Sequence, residues 1–320
     1  MKAAVLHATE EPPQFEHFLD PVAQENEVMV TVRAASLKPI DKQMASGSHY
    51  ASFRELPVVC GLDGAGCLDD GTRVFFARPR LPYGGMAEKT VVPRVQCFPL
   101  PDAIDDATAA AVFNPGLSAW GTLAWRAQLA AGESVLILGA TGVTGKLAIQ
   151  TAKLLGAGRV VAAGRNEEVL SKLHELGADA TIQIGESMTK LTEDFVREAG
   201  ERGFDVIVDY LWGRPTELLL EALAKGFRPD KAHATRLIEV GESAGKSITL
   251  PGATLRSVDL RLLGSGFGSV SLQGIFDAIP ELFTLAAAGK VTIDVAPTPL
   301  SDVERSWTRQ SDGRRIVFTM

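Results

Sequence analysis

Ser134-Val-Leu-Ile-Leu-Gly-Ala-Thr-Gly-Val-Thr-Gly-Lys-Leu-Ala-Ile-Gln150, running on to Gly164-Arg165-Asn166, is the stretch from which the fold can be read. Val135–Leu138 is an apolar run of one buried strand's length. It stops at Gly139, and glycines recur at Gly142 and Gly145. A helical pattern follows, with Leu147, Ala148, Thr151, Ala152 and Leu155 on one face. Gly156 and Gly158 close it, and a second apolar run begins at Val160–Ala163. Strand, glycine turn, helix and strand make one βαβ unit.

Glycines between a strand and a helix have a physical use. One lets the chain turn sharply, one lets backbone N–H groups approach a pyrophosphate, and one lets the helix pack close to the sheet. The helix start then aims free N–H groups and the positive end of its dipole at the phosphates. The spacing is Gly-x-x-Gly-x-x-Gly, not the commoner Gly-x-Gly-x-x-Gly, so its place between strand and helix carries the weight. The candidate cradle is Gly139, Thr141, Gly142, Val143, Thr144 and Gly145, with Lys146 either reaching phosphate or lying in solvent. An NAD site usually places an acid about 20 residues past the glycines, on the ribose 2′-OH. Here the second strand ends in Gly164-Arg165-Asn166, with no acid until Glu167. Arg165 has the planar fork that pairs with a 2′-phosphate, so the expected cofactor is NADPH. The plainer readings are a solvated loop arginine and, for Asn166, a helix N-cap.

At 320 residues two domains are expected. The hydrophobic share of 46% and charged share of 22% are those of a globular protein. A net charge of −7 argues against nucleic acid or an anionic membrane surface as partner. No apolar stretch reaches the roughly 18 residues of a membrane helix. Met1–Leu6 runs into Glu10 and Glu11 without a signal-peptide core, so a cytoplasmic location is expected. Cys60, Cys67 and Cys97 form no C-x-x-C and read as small hydrophobes.

Residues 1–113 read differently from the middle. Short apolar runs, Ala3–Leu6, Val28–Val32, Val58–Val59, Val74–Ala77 and Thr90–Val92, are punctuated by Pro and Gly. Helical periodicity is nearly absent before Asp102, which suggests a compact β domain, a partly open barrel. Three loops stand out: Ala35–Asp41 leading to Ser46-Gly47-Ser48-His49-Tyr50, then Gly61-Leu62-Asp63-Gly64-Ala65-Gly66, then Gly84-Gly85-Met86-Ala87-Glu88.

In that order, and followed by Gly116-Leu117-Ser118-Ala119-Trp120 and the glycine turn, these motifs resemble the medium-chain dehydrogenase/reductase superfamily, in its zinc-free quinone oxidoreductase branch. The resemblance spans essentially the whole chain and says nothing specific about substrate. It implies an α/β protein: a Rossmann doubly wound parallel sheet, residues 114–268, inserted into a GroES-like β-barrel domain made of 1–113 and 269–320.

Departures from the family pattern bear on the chemistry. Where zinc alcohol dehydrogenases of the family carry a catalytic Cys and a relay Ser or Thr, this chain has Lys38 and Ile40. Leu62 stands for a ligand His, Asn114 lies near the third ligand, and the four-cysteine lobe is missing. Zinc needs about four N or S ligands, and the histidines at 7, 17, 49, 174 and 233 lie far apart. Polarising an alcohol or aldehyde oxygen at neutral pH is hard without that Lewis acid. A quinone or α,β-unsaturated carbonyl takes hydride at carbon and needs only hydrogen-bond donors at a distant oxygen. The candidates are Lys38, Tyr50 and Ser118, with a surface lysine the other reading of Lys38 and a core or rim aromatic that of Tyr50, and water can serve as proton source. Two other readings stay open: an NADPH-binding sensor without turnover, and an alcohol dehydrogenase-like enzyme.

The middle continues the βα rhythm. Helices are expected from Asn166, capped off at Gly177, over Met188–Ala199 and from Pro215 to Lys225. Strands are expected at Thr181–Ile184, Phe204–Asp209, Thr235–Val240 and Leu260–Leu263. Ligands in such sheets sit outside the strands' carboxyl ends. That picks out Tyr210, then Val240, Gly241 and Ser243, then Gly266 and Phe267, each against a plain-turn reading. The resemblance implies that the last two loops touch the nicotinamide, which would lie between the domains against Asn114–Ser118. Asp209 reads as a structural cap. In the tail, Leu272–Ala288 is an expected helix, Val291–Val295 a strand and Pro297–Leu300 a linker. Arg314 matches a basic residue that approaches cofactor phosphate in the family. The resemblance also implies a homodimer paired through an edge strand, at Ser247–Leu250 or Leu260–Leu263.

Overall fold

A computed structural model describes residues 1–49, 52–185, 187–225, 234–309 and 313–320. The chain packs as two compact units, Met1–Asn114 with Ile279–Met320, and Pro115–Ala278. The second boundary falls at 278/279 rather than at the expected 268/269, inside a helix.

The first unit opens with β1 (Lys2–Leu6), β2 (Gln14–His17) and β3 (Glu27–Ser36), then α1 (Pro39–Ala45). It continues with β4 (Val58–Val59), β5 (Asp63–Cys67), β6 (Arg73–Ala77), β7 (Lys89–Pro93), β8 (Cys97–Pro99) and the first part of α2 (Asp106–Trp120), whose residues from Pro115 on belong to the second unit. α1 is a short helix in the region where helical periodicity is nearly absent. Pro39 sits in its first turn, where a missing N–H costs nothing, and Asp41 accepts the Lys38 backbone N–H at 2.8 Å. These signals are local, and seven residues are too few to show a periodicity. The ten-residue β3 is the spine of this unit. Its first half pairs with β7, its middle with β5 and its end with the last strand of the chain.

The second unit is built from β9 (Ser134–Leu138), α3 (Val143–Leu154), β10 (Arg159–Gly164), α4 (Glu167–Leu170), β11 (Ala180–Gln183) and α5 (Met188–Ala199). Then come β12 (Val206–Asp209), α6 (Gly213–Lys225), β13 (Thr235–Glu239), α7 (Gly252–Ser257) and β14 (Leu260–Gly264). All six strands are parallel, in the order β11-β10-β9-β12-β13-β14. This is a Rossmann sheet, and its direction of winding reverses between β9 and β12. One face buries Leu136, Leu138, Val161, Ala163, Ile207 and Leu237 against Leu191 and Phe195 of α5 and Leu218–Leu220 of α6. Residues 247–250, one expected edge, carry no strand; β14 is the edge.

The chain ends with α8 (Leu272–Ala287), β15 (Val295–Pro299), α9 (Val303–Trp307) and β16 (Arg315–Thr319). The expected strand at Val291–Val295 is corrected: the strand lies at Val295–Pro299, across the stretch read as linker. Two prolines made that stretch look strandless. They are tolerated because β15 is an edge, pairing only with β16, so a missing N–H breaks no ladder on the open side. Among the described residues no helix is long and apolar enough to cross a membrane.

Phe195 is fully buried at the α5–α6–sheet seam. Phe195→Ala is expected to lower unfolding free energy by about 3–5 kcal/mol, read from urea denaturation.

Candidate functional site

The turn after β9 is tight for identifiable reasons. Gly139 adopts φ +85°, a conformation side-chain-bearing residues rarely take. Its N–H and that of Ala140 both reach Ala163 O on β10, at 2.9 Å. A Cβ at Gly145 would overlap Gly139 O and Ala140 Cα, so only glycine lets α3 start this close to the strand. Gly142 holds the N-cap position and has no side chain to cover the first-turn amides of Val143, Thr144 and Gly145. A twelve-residue helix beginning this way presents free N–H groups and its positive end at the sheet's carboxyl edge. Thr141 lies within the turn, and Lys146 donates its backbone N–H to Gly142 O at 3.0 Å.

Beside this turn, β10 ends at buried Gly164. Asn166 is the N-cap of α4, its Oδ1 accepting from Val169 N at 3.1 Å. Its side chain is therefore committed to the helix. Arg165 is exposed and, among the described residues, makes no hydrogen bond or ion pair. No carboxylate stands at the strand end; Glu167 is already in the helix. The pattern is a free guanidinium one strand away from an uncapped helix start.

On the other side of β9 three loops converge. Asp209 closes β12, with Oδ1 accepting from Leu211 N and Trp212 N at 2.8 and 2.9 Å and Oδ2 from Thr216 at 2.5 Å. Burial pushes this carboxyl up, against the pull of those donors. Its lone pairs hold the start of α6, which is a structural role. Tyr210 is anchored at both ends of its backbone: N–H to Leu138 O at 3.2 Å, C=O from Ser243 Oγ at 2.9 Å. Val240 and Gly241 donate to Asp209 O at 2.8 and 3.2 Å. Ser265 donates its N–H to Glu239 O at 2.8 Å and meets Thr122 Oγ1 at 2.9 Å. Gly266 is extended and donates to Ser269 Oγ at 2.8 Å; the Phe267 side chain lies outside the described residues. Ser118 is half-buried on α2.

The first unit holds a second polar cluster. Lys38 Nζ lies 2.8 Å from Asp63 Oδ1, 3.1 Å from Ser36 O and 3.4 Å from Asp41 Oδ2. Arg315 donates to Leu37 O at 3.0 Å beside them. All four charged groups are buried, two cations against two carboxylates. Burial alone would push the ammonium down; the fields of Asp41 and Asp63 more than offset that and hold it up. Reading Lys38 as an oxyanion donor meets a correction here. Its side chain is 0% exposed, and an oxyanion would have to displace Asp63 to reach it. The sequence showed these residues within motifs, but not that they meet across β3, β5 and β16. Tyr50 lies outside the described residues. Asn114 is half-buried on α2, and Arg314 is exposed just before β16.

Comparison with known proteins bears on this geometry. Residues 143–281 match the family model described as zinc-binding dehydrogenase. A probable NADPH-dependent quinone reductase of Emericella nidulans is 25% identical over 99% of both chains. Human quinone oxidoreductase is 27% identical over 74% of both. Among solved structures, the quinone oxidoreductase of Thermus thermophilus, described with its NADPH complex, superposes with a TM-score of 0.82 at 25% identity over 100% of both chains. The Escherichia coli quinone oxidoreductase complexed with NADPH gives 0.84 at 23% identity, over 100% of both. Along its length the chain is similar to the quinone oxidoreductase-like branch of the medium-chain dehydrogenase/reductase superfamily.

Among the described residues no group of three or more His, Cys, Asp or Glu side chains could hold a metal ion. In the motif where zinc members place their cysteine, Lys38 forms an ion pair instead.

Lys38→Met leaves two buried carboxylates facing one guanidinium and is expected to lower stability by about 3–5 kcal/mol. Because the ammonium's folded pKa is raised, its contribution is complete below about pH 10 and disappears only as pH climbs through the higher folded value. The gap in unfolding free energy between Lys38→Met and the parent chain should therefore hold from pH 7 to 9 and close above about pH 10.

Proposed function

We propose that this chain is an NADPH-dependent oxidoreductase that delivers hydride to a quinone or an α,β-unsaturated carbonyl without zinc. The carrying observation is the free Arg165 guanidinium at the end of β10, beside an N-cap with no side chain of its own at α3. The residues present fit a dinucleotide. Gly142–Gly145 would take the diphosphate on backbone N–H groups, and Arg165 the 2′-phosphate through its fork. The absence of an acid at the β10 end removes the usual partner of a free ribose 2′-OH. From the turn, the ligand crosses the switch point toward β12 and β13, where Tyr210, Val240, Gly241 and Ser243 end their strands.

Bound NADPH supplies the hydride. The chain's own part is to orient the ring, exclude water and stabilise charge that develops on the acceptor's oxygen. Ser118 is the described hydroxyl for that task, with Tyr50 as the second candidate. An acceptor that takes hydride at a conjugated carbon and delocalises the charge to a distant oxygen suits this modest donor set better than an isolated ketone does. Support for the quinone class comes from the quinone reductases the chain resembles along its length. The same reading includes a cytoplasmic homodimer joined along β14, the sheet edge on which Leu262 is 40% exposed. A second reading, cofactor binding without turnover, draws on the inward commitment of Lys38.

Arg165→Gln should raise the NADPH dissociation constant about 10- to 100-fold while leaving NADH nearly unchanged, the size expected for one charge-assisted phosphate contact. Oxidation of NADPH by a quinone or enone panel should survive prolonged chelation. Equal losses for both coenzymes, or activity abolished by the chelator, would reject the assignment. Tight NADPH binding with no oxidation across the panel would favour the second reading.

A further inference from the structure

Helix α2 does not stop at Trp120 but widens into a π-helical turn, Gly121–Arg126. The Ala127 N–H reaches back five residues to Thr122 O, at 2.8 Å. Such turns are rare and recur at functional sites, so this one calls for a reason. Its side chains give one. Thr122 is wholly buried, and its hydroxyl lies 2.9 Å from Ser265 Oγ. Arg126 Nε donates to Gly264 O at 2.8 Å. The indole of Trp125 lies over Gly121, where a Cβ would meet it at 3.1 Å, and its far edge is 4.0 Å from the corresponding position at Gly274 of α8. Three residues of one turn thus brace the chain that leaves β14, all within the second unit.

The braced chain is itself unusual. Residues 264–268 read Gly-Ser-Gly-Phe-Gly. None of the three glycines takes a left-handed φ. A Cβ built on any of them would meet no described atom within 4 Å. Neither turn geometry nor internal packing demands glycine here, and glycine's remaining use is to let a ligand approach the backbone closely. The loop lies at the carboxyl end of the sheet, where ligands of parallel sheets bind, and the Ser265 N–H ties it to Glu239 O at the end of β13. A dinucleotide anchored at Arg165 after β10 and at the turn after β9 runs across β12 and β13 toward this loop. Its nicotinamide half is the half that arrives.

We propose that Thr122 and Arg126 are positioning residues: through Ser265 Oγ and Gly264 O they hold the backbone of 264–268 as a wall against which the nicotinamide half of the cofactor packs. This rests on the NADPH reading above and adds to it the side chains that fix the wall. A glycine-rich loop with nothing behind it would have to be ordered each time the cofactor binds, at a cost in backbone entropy. With the brace, that ordering is already part of the fold. Neither side chain needs to touch the cofactor.

The experiment compares Thr122→Val, which removes the hydroxyl at nearly constant volume, Thr122→Ser, which keeps it, and Arg126→Met, which keeps a long side chain without the donor. Binding of NADPH and of 2′,5′-ADP, which carries only the adenosine half, is measured by calorimetry, with thermal unfolding alongside. Thr122→Val and Arg126→Met should each weaken NADPH roughly three- to tenfold, the size of one hydrogen bond. All variants should bind 2′,5′-ADP as the parent chain does. Thr122→Ser should bind NADPH as the parent chain does, even where its melting temperature falls with that of Thr122→Val. Should Thr122→Val not fold, Arg126→Met, at a half-buried position on the same loop, carries the test. Unchanged NADPH constants for Thr122→Val and Arg126→Met, an equal loss for 2′,5′-ADP, or a loss for Thr122→Ser as large as for Thr122→Val would each overturn the proposal. If the parent chain binds both ligands and the variants bind them equally well, this inference alone fails. If the parent chain binds neither, the functional reading fails and takes this one with it.

Discussion

The close approach of α3 to β9 is the constraint on which the second unit depends. A side chain at Gly145 would overlap the backbone of Gly139 and Ala140. With none there, the helix begins almost on the strand end, and its first amides have no neighbour of their own to satisfy them. Those amides then cluster at the reversal point of a parallel sheet, where neighbouring loops part and leave room for a ligand. The arrangement stores no charged side chain. Its positive potential comes from backbone dipoles, which cannot be titrated away and need no reorganisation when a phosphate arrives.

The first unit solves the opposite problem. Around Lys38, which the resemblance sets where zinc members carry a cysteine, four charged side chains are buried as a neutral set. A buried ion pair contributes little net stability compared with apolar residues of the same shape, but losing one member strands the rest. The cluster therefore locks β3, β5, α1 and β16 to one another more than it stabilises the unit. It also leaves the Lys38 ammonium committed to Asp63 and Asp41.

Local signals were read well from sequence. Asn166 caps α4, Gly177 ends the following turn at φ +105°, and Met188–Ala199 is helical over its expected span, because each depends on neighbours a few residues away. Asp209 was readable as a cap for the same reason. The misread segments fail where the deciding partner is distant. Val295–Pro299 is a strand because β16 lies beside it and nothing needs its missing N–H groups. The direction of Lys38 depends on Asp63, twenty-five residues on.

By itself the sequence determined the βαβ unit, the glycine turn and the choice of an arginine where an acid would bind a free ribose hydroxyl. These are properties of consecutive residues, set by steric freedom, periodicity and charge. Only the tertiary structure decided which strand is the edge, which way Lys38 points, and that the Thr122 and Ser265 hydroxyls meet. Each of those depends on pairing across many residues of chain, where the cost of burying a polar group is settled by whatever the fold happens to bring beside it.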